Sequence, residues 1–349
     1  MTQGRNRKQQ GNEKQSKRGR PVIRWIGYLV FAIAYICIST SLWIFHGPFP
    51  ALKNYLIDSI DATRHGYLLR PLSLYTIPES VIKAHSLTNG LVSTTVPVAQ
   101  ITRRDYSNVK DGSIVHDTYQ GQTFKADILL IRDPERVKVE ATKYLNQHGE
   151  TVQEMVKDTG AVAGINAGGF DDSSWRGTGA YPQGITMHDG KLVALTGSKT
   201  QPQPVIAFTQ TGQMIAGAYS LPQLQNLGVT EAVTFGPVLI QDGKPVSTTN
   251  GYDRNPRTAI GQTADGTVIL IVTDGRFATG PNDAGATYDD VKQLMLKYHA
   301  VIAANLDGGS STTMIYHNQL LNKPVDILGE RKVATSIIVM PESGGGVFG

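Results

Sequence analysis

From Trp25 to Phe45 the chain reads WIGYLVFAIAYICISTSLWIF, 21 residues without a charge. A helix of that length spans about 31 Å, enough for a hydrocarbon core of about 30 Å. The run has no polar face, as a core helix would, and exceeds the apolar region of a signal peptide, with no clear A-x-A site after it. It reads as a single transmembrane helix, with Trp25, Tyr28 and Trp43 near its ends where amphipathic rings favour the headgroup zone.

Beyond it, Ala51–Arg64 repeats apolar residues at helical spacing (Leu52, Tyr55, Leu56, Ile60), and Pro71 closes the next stretch. Pro78-Glu79-Ser80 is a possible start for a short helix carrying Val81 and Ile82, and Leu87–Arg104 is thin in core residues and reads as a linker. From about Ser113 the period changes from 3.6 to 2. Strands are expected at Phe124–Ile131, Val137–Ala141, Val162–Asn166, Ile185–Met187, Leu192–Leu195, Val205–Phe208, Val233–Ile240, Thr258–Gln262, Val268–Thr273, Val301–Leu306, Thr313–Tyr316 and Thr335–Val339. Asp189-Gly190, Asp242-Gly243 and Asp265-Gly266 each separate two runs, a hairpin signal. Helices are expected at Thr151–Lys157 and at Tyr288–Tyr298, whose acids stand at the favourable end. The fold class is therefore α+β: one strand-rich domain with few helices over 113–341, after a basic tail (1–24), the anchor (25–45) and a helical stalk and linker (46–112), with a flexible Gly-rich end (342–349).

Composition is globular, at 40% hydrophobic and 18% charged, and the 37 glycines suit a turn-rich fold. Residues 1–24 carry eight bases and one acid, a net +7, which against the chain total of +4 leaves −3 elsewhere. The basicity belongs to a tail beside a lipid bilayer, and no nucleic-acid surface is indicated. By the positive-inside rule the N-terminus is cytoplasmic and the main domain extracellular. The single cysteine, Cys37, excludes an intrachain disulfide.

Polar residues of interest occur where strands end in glycine, so that backbone can approach a ligand closely: AGINAGGFDD (163–172), NPRTAIG (255–261), VTDGR (272–276) and AANLDGGSSTTM (303–314). LGERKVATS (328–336) adds an acid and a base before the last strand. Each has a bland reading. Asn166 and Asp274 are as suited to fixing turns as to a site, and Gly308-Gly309-Ser310-Ser311-Thr312 is either a tight structural turn or an anion-binding nest with hydroxyls. Arg257 and Arg276 offer planar forks for phosphate or carboxylate, or for acids of the domain itself.

The ordered set INAGGF, QGITMHDGKLV, TFGPVLIQDGK, PRTAIG, VTDGR, GATYDDVKQLM, ANLDGGSSTTM and ERKVATSI, over about residues 120–341, resembles the phosphodiester glycosidase family. Residues 46–86 look like the membrane-proximal region of bacterial members labelled exopolysaccharide biosynthesis proteins. Gly168-Gly169-Phe170 stands where many members have one glycine before an aromatic. The resemblance implies hydrolysis of a sugar-1-phosphodiester, a carbohydrate phosphodiester partner in cell-envelope glycans or related conjugates, and release of the sugar. Such a site needs a cationic cradle, expected from Arg257, Arg276 and the Gly308–Ser311 backbone, and carboxyls at the anomeric centre, expected from Asp307 and Glu330. Asn166 and Thr312 would orient the substrate, with Asp274 beside them. A serine hydrolase using Ser310 or Ser311 has no G-x-S-x-G elbow to support it. No H-E-x-x-H or Cys/His cluster marks a transition metal, while Asp171, Asp172, Asp289 and Asp290 are candidate ligands for Ca²⁺ or Mg²⁺. A non-catalytic polysaccharide-binding or assembly factor is the alternative from another class.

Overall fold

A computed structural model describes residues 19–61, 68–78, 80–81, 102–171, 178–248, 254–325 and 329–342. The tail through residue 18, residues 62–64, Glu79, Ile82, the linker from 87 to 101, Asp172, Leu328 and the 343–349 end lie outside the described residues. The apolar run forms the helix Gly19–His46, of which Val22–His46 is long and apolar enough to cross a membrane. The helix Pro50–Asp61 and a single turn, Leu69–Leu72, pack beside its end.

Three antiparallel sheets build the domain. The largest runs Ile114–Gln120, Lys125–Ile131, Val268–Thr273, Thr258–Thr263, Ala300–Leu306, Val238–Gln241 and Lys244–Pro245 in spatial order. A second contains Met214–Tyr219, Gln203–Thr209, Val229–Thr234, Ile185–His188 and Lys191–Leu195, and a third Gln319–Leu320, Met314–Tyr316, Ala163–Asn166, Thr335–Val339 and Val137–Ala141. Their inner faces share one core that includes Leu129, Leu270, Ile206, Phe208, Ile165 and Ile337. Strand Val268–Thr273 shows the logic: Val268, Leu270 and Val272 face that core, while Ile269 and Ile271 face the outer layer with Val291, Leu294 and Met295 of helix Tyr288–Lys297. A central strand buried on both faces reads as a continuous apolar run. Helix Val152–Thr159 covers the third sheet in the same way, starting at a Thr151–Glu154 capping box.

All three Asp-Gly pairs close hairpins, and Asp189, Gly190, Asp242 and Gly243 all take the positive φ that a two-residue hairpin turn requires. The expected strand Val233–Ile240 is two. Val229–Thr234 belongs to the second sheet and Val238–Gln241 to the largest, with Phe235-Gly236-Pro237 carrying the chain between them. Pro237 has no N–H for a ladder, so the run breaks there despite its apolar sequence.

Candidate functional site

The ends of five strands meet around Asn166. Its side-chain oxygen accepts from Thr258 Oγ1 at 2.8 Å and from the Thr313 N–H at 3.1 Å, while its amide donates to the Asp307 carbonyl. The residue is fully buried. It stitches the third sheet to the largest and sets the height at which the chain leaves strand Ala300–Leu306. Around it, the Asp307 N–H donates to Ala167 O (3.0 Å), and the Gly168 N–H to Thr335 Oγ1 (3.0 Å). Gly308 lies against the neighbouring segment: a Cβ there would stand 2.8 Å from the Pro256 carbonyl oxygen.

The expected backbone nest is mostly closed. The N–H groups of Gly309, Ser311 and Thr312 donate to Pro256, Gly308 and Gly309 carbonyls, making a short 3₁₀ turn over Gly309–Ser311. What the turn offers instead is side chains. Thr312 and Thr313 are buried, and neither hydroxyl has a hydrogen-bond partner among the described residues. A turn of purely structural purpose would not leave two such groups unsatisfied side by side.

Asp307 opens beside these hydroxyls. It is half-buried as a residue, yet protein crowds its carboxyl closely enough that burial pushes its pKa up. Ser311, the Arg331 charge and the Gly308 N–H pull it back down, although the Ser311 hydroxyl falls short of full hydrogen-bond geometry. Arg331 is the residue that sequence reasoning left unassigned. It is buried, donates to Ser310 Oγ at 3.1 Å and lies 4.9 Å from the centre of the Phe170 ring. Asn322 was likewise unassigned: buried, it donates to Thr312 O (2.9 Å) and accepts from the Met314 N–H (2.8 Å), fixing both ends of the hydroxyl run.

The other expected site residues make contacts of their own. Glu330 accepts from the Gln153 N–H at 3.0 Å, at the start of helix Val152–Thr159, and burial pushes its pKa up to about 7 despite that bond. Arg257 is buried with Nε donating to Ala286 O (3.1 Å) and its guanidinium 4.1 Å from the Tyr288 ring centre. Arg276 donates twice to Asn255 Oδ1, at 3.2 and 3.0 Å. Both arginines thus brace the Asn255–Pro256 segment that supports the Gly308 turn. Asp274 is buried, with its pKa raised by that burial, and accepts from the Lys323 N–H at 3.0 Å. Hydrogen bonds link Asn166, Asp307 and the Gly308–Thr312 turn, and the Arg257 backbone lies against Gly308.

Of the acids expected to hold a divalent ion, Asp172 lies outside the described residues and the other three do not form a group. Asp290 caps its own helix through Thr287 and pairs with Arg254 (3.0 Å), Asp289 pairs with Lys292 (2.8 Å), and Asp171 is exposed on a separate two-stranded ribbon. Among the described residues, the group with metal-ligand spacing is His188, Asp189 and Glu231. Lys138 reaches into it, 3.1 Å from Asp189 and 3.3 Å from Glu231, so an ammonium supplies the counter-charge there. A cleft of about 390 Å³ between Tyr119, Arg254 and Lys297 does not include Asp307.

The sequence profile described as phosphodiester glycosidase matches residues 159–340. The chain is 30% identical over 202 residues to the SPbeta prophage-derived uncharacterized protein YomE of Bacillus subtilis (strain 168), covering 55% of this chain and 30% of that protein. It is 25% identical over 195 residues to the Bos taurus N-acetylglucosamine-1-phosphodiester alpha-N-acetylglucosaminidase, covering 50% and 35%. The chain therefore spans about a third of the length of these curated relatives. Among solved structures, the zebrafish N-acetylglucosamine-1-phosphodiester alpha-N-acetylglucosaminidase catalytic domain, auto-inhibited by its pro-peptide, superposes with a TM-score of 0.54 at 21% identity, over 65% of this chain and 82% of that one. At that identity the likeness speaks for the fold.

Proposed function

Since the chain belongs to the phosphodiester glycosidase family, we propose that it hydrolyses sugar-1-phosphodiester bonds, releasing the sugar and leaving a phosphomonoester. The observation that carries this reading is the group at the end of strand Ala300–Leu306: a crowded carboxyl on Asp307, a buried guanidinium on Arg331, and the Thr312 and Thr313 hydroxyls between two Asn anchors. The reaction needs a carboxyl at the anomeric carbon and cationic compensation for the phosphodiester. Asp307 is assigned to the anomeric centre and Arg331 to the charge, while the threonines orient sugar hydroxyls. Glu330, with a pKa near 7, suits the second carboxyl, because a general acid works best when its pKa lies near the operating pH. Arg257 and Arg276 bear on substrate through the segment they brace.

The substrates proposed are cell-envelope or exopolysaccharide phosphodiesters, a reading supported by the basic tail and the apolar helix, from which we infer a cytoplasmic N-terminus and an outside domain. The test is turnover by the detergent-solubilised chain, read as reducing sugar released from a sugar-1-phosphodiester. Asp307→Asn should lower it by at least about a hundredfold, the usual scale for a general acid–base group, with the fold retained. Near-normal turnover in a folded Asp307→Asn variant removes Asp307 from the mechanism. Saturable binding without product from the unmodified chain favours the non-catalytic polysaccharide binder.

A further inference from the structure

The apolar helix is bare through Ile38, but its last turns are not: Ser41 and Phe45 are buried and Ile44 half-buried, the spacing of one helical face. The segment after the helix covers that face. Phe45 clusters with Ile57, Leu69 and Ile77, the Ser41 hydroxyl donates to the Leu72 carbonyl at 2.6 Å, and His46 Nε2 lies 2.6 Å from Thr76 Oγ1. Ser41 precedes His46 by about 7 Å along the helix axis, at 1.5 Å per residue. The segment therefore folds back beside the helix and reaches down to the level of the charge-free run instead of standing above it.

At that level it presents Leu72, Leu74 and Tyr75, which are 48%, 40% and 67% exposed. Leu74 and Tyr75 both adopt left-handed backbone, with φ of 53° and 59°, a conformation bulky residues rarely take. The turn is nevertheless tied down: the N–H groups of Leu74 and Tyr75 donate to Pro71 O (3.0 Å) and Arg70 O (2.6 Å), and Ser73 Oγ donates to Arg70 O (3.0 Å). A strained turn that holds three large apolar side chains outward gains nothing from water. Beside a spanning helix, those side chains meet lipid, the Tyr75 ring lies where amphipathic rings concentrate, and Arg70, 5.5 Å from that ring, is placed for headgroup phosphate.

We propose that the 68–78 turn inserts into the headgroup–acyl boundary at the C-terminal end of the helix, as a second membrane contact through Leu72, Leu74 and Tyr75. The inference rests on the helix crossing a bilayer and is independent of the enzymatic reading. It is tested on the full chain in vesicles of equimolar phosphatidylcholine and phosphatidylglycerol, with a nitroxide at Leu74→Cys or Tyr75→Cys in a Cys37→Ser background. Relaxation by oxygen, which concentrates in lipid, is compared with relaxation by a water-soluble nickel chelate. The oxygen-to-nickel ratio at both positions should be several-fold above that at Lys191→Cys, on an exposed strand of the domain, and approach that of the unmodified chain labelled at Cys37. A ratio at 74 and 75 equal to that at 191 overturns the proposal, as does shielding from both reagents, which would place protein over the turn. Water exposure at Cys37 overturns it by removing the spanning helix.

Discussion

Burial raises both candidate carboxyls, but their neighbours differ. Asp307 has a guanidinium at hand, whereas the Gln153 and Val152 N–H groups offset part of the burial at Glu330, and Glu154 nearby raises it further. Glu330 therefore carries a stability cost with a definite sign. Its folded pKa of about 7 lies above the ordinary value of 4.5, so the folded state binds more protons between those limits and stability falls as pH rises through that window. Glu330→Gln keeps an oxygen for the Gln153 N–H and removes the charge. Its denaturation midpoint should exceed that of the unmodified chain at pH 8 and match it at pH 4, while turnover falls, the trade-off expected where function maintains a strained group. Equal midpoints at both pH values would deny Glu330 a buried charge. Asp307 was legible in the sequence because an apolar run leads into it and small residues follow. Arg331 was not, since RK offers two bases side by side. Only burial in the folded chain separates them: Arg331 is buried and Lys332 exposed.

At the scale of elements, period-2 runs bounded by Asp-Gly pairs were the most readable feature, because local turn chemistry and burial agree there. Ile114–Gln120 escaped notice for the opposite reason. It is an edge strand, exposed along most of its length and paired only with Lys125–Ile131, so little apolar pattern is imposed on it. The short helix Leu221–Asn226 was also missed, although Ser220 and Gln223 form a capping box before a buried Leu224. What no local pattern shows is which strand ends meet, and Asn166 is where that matters. Asn166→Ala removes three hydrogen bonds, two of them buried, and orphans the Thr313 N–H and the Asp307 carbonyl. The expected loss is about 3–5 kcal/mol, read from urea midpoints, with turnover falling as Asp307 shifts. A loss below about 1 kcal/mol would mean that the strand ends are held together without it.

For the whole molecule, hydropathy marked the part of the first helix that suits lipid, but the helix itself begins earlier, at Gly19, since charged residues of the tail are compatible with helix while unsuited to hydrocarbon. The proposed topology predicts that protease added to intact cells degrades the domain and spares a tag at residue 2. A protected domain would reverse the orientation. The proposed substrate is a charged phosphodiester, and a neutral glycoside would deny Arg331, which already lies beside Asp307, the second anion it is proposed to meet. That mismatch should be worth several kcal/mol, on the order of a thousandfold in turnover. The most direct measurement is reducing sugar released by the full chain from a sugar-1-phosphodiester and from the matching neutral aryl glycoside under the same conditions. Turnover of the phosphodiester with little or none of the glycoside is the predicted result. Efficient hydrolysis of the neutral glycoside, or no release from any sugar-1-phosphodiester offered, would contradict it.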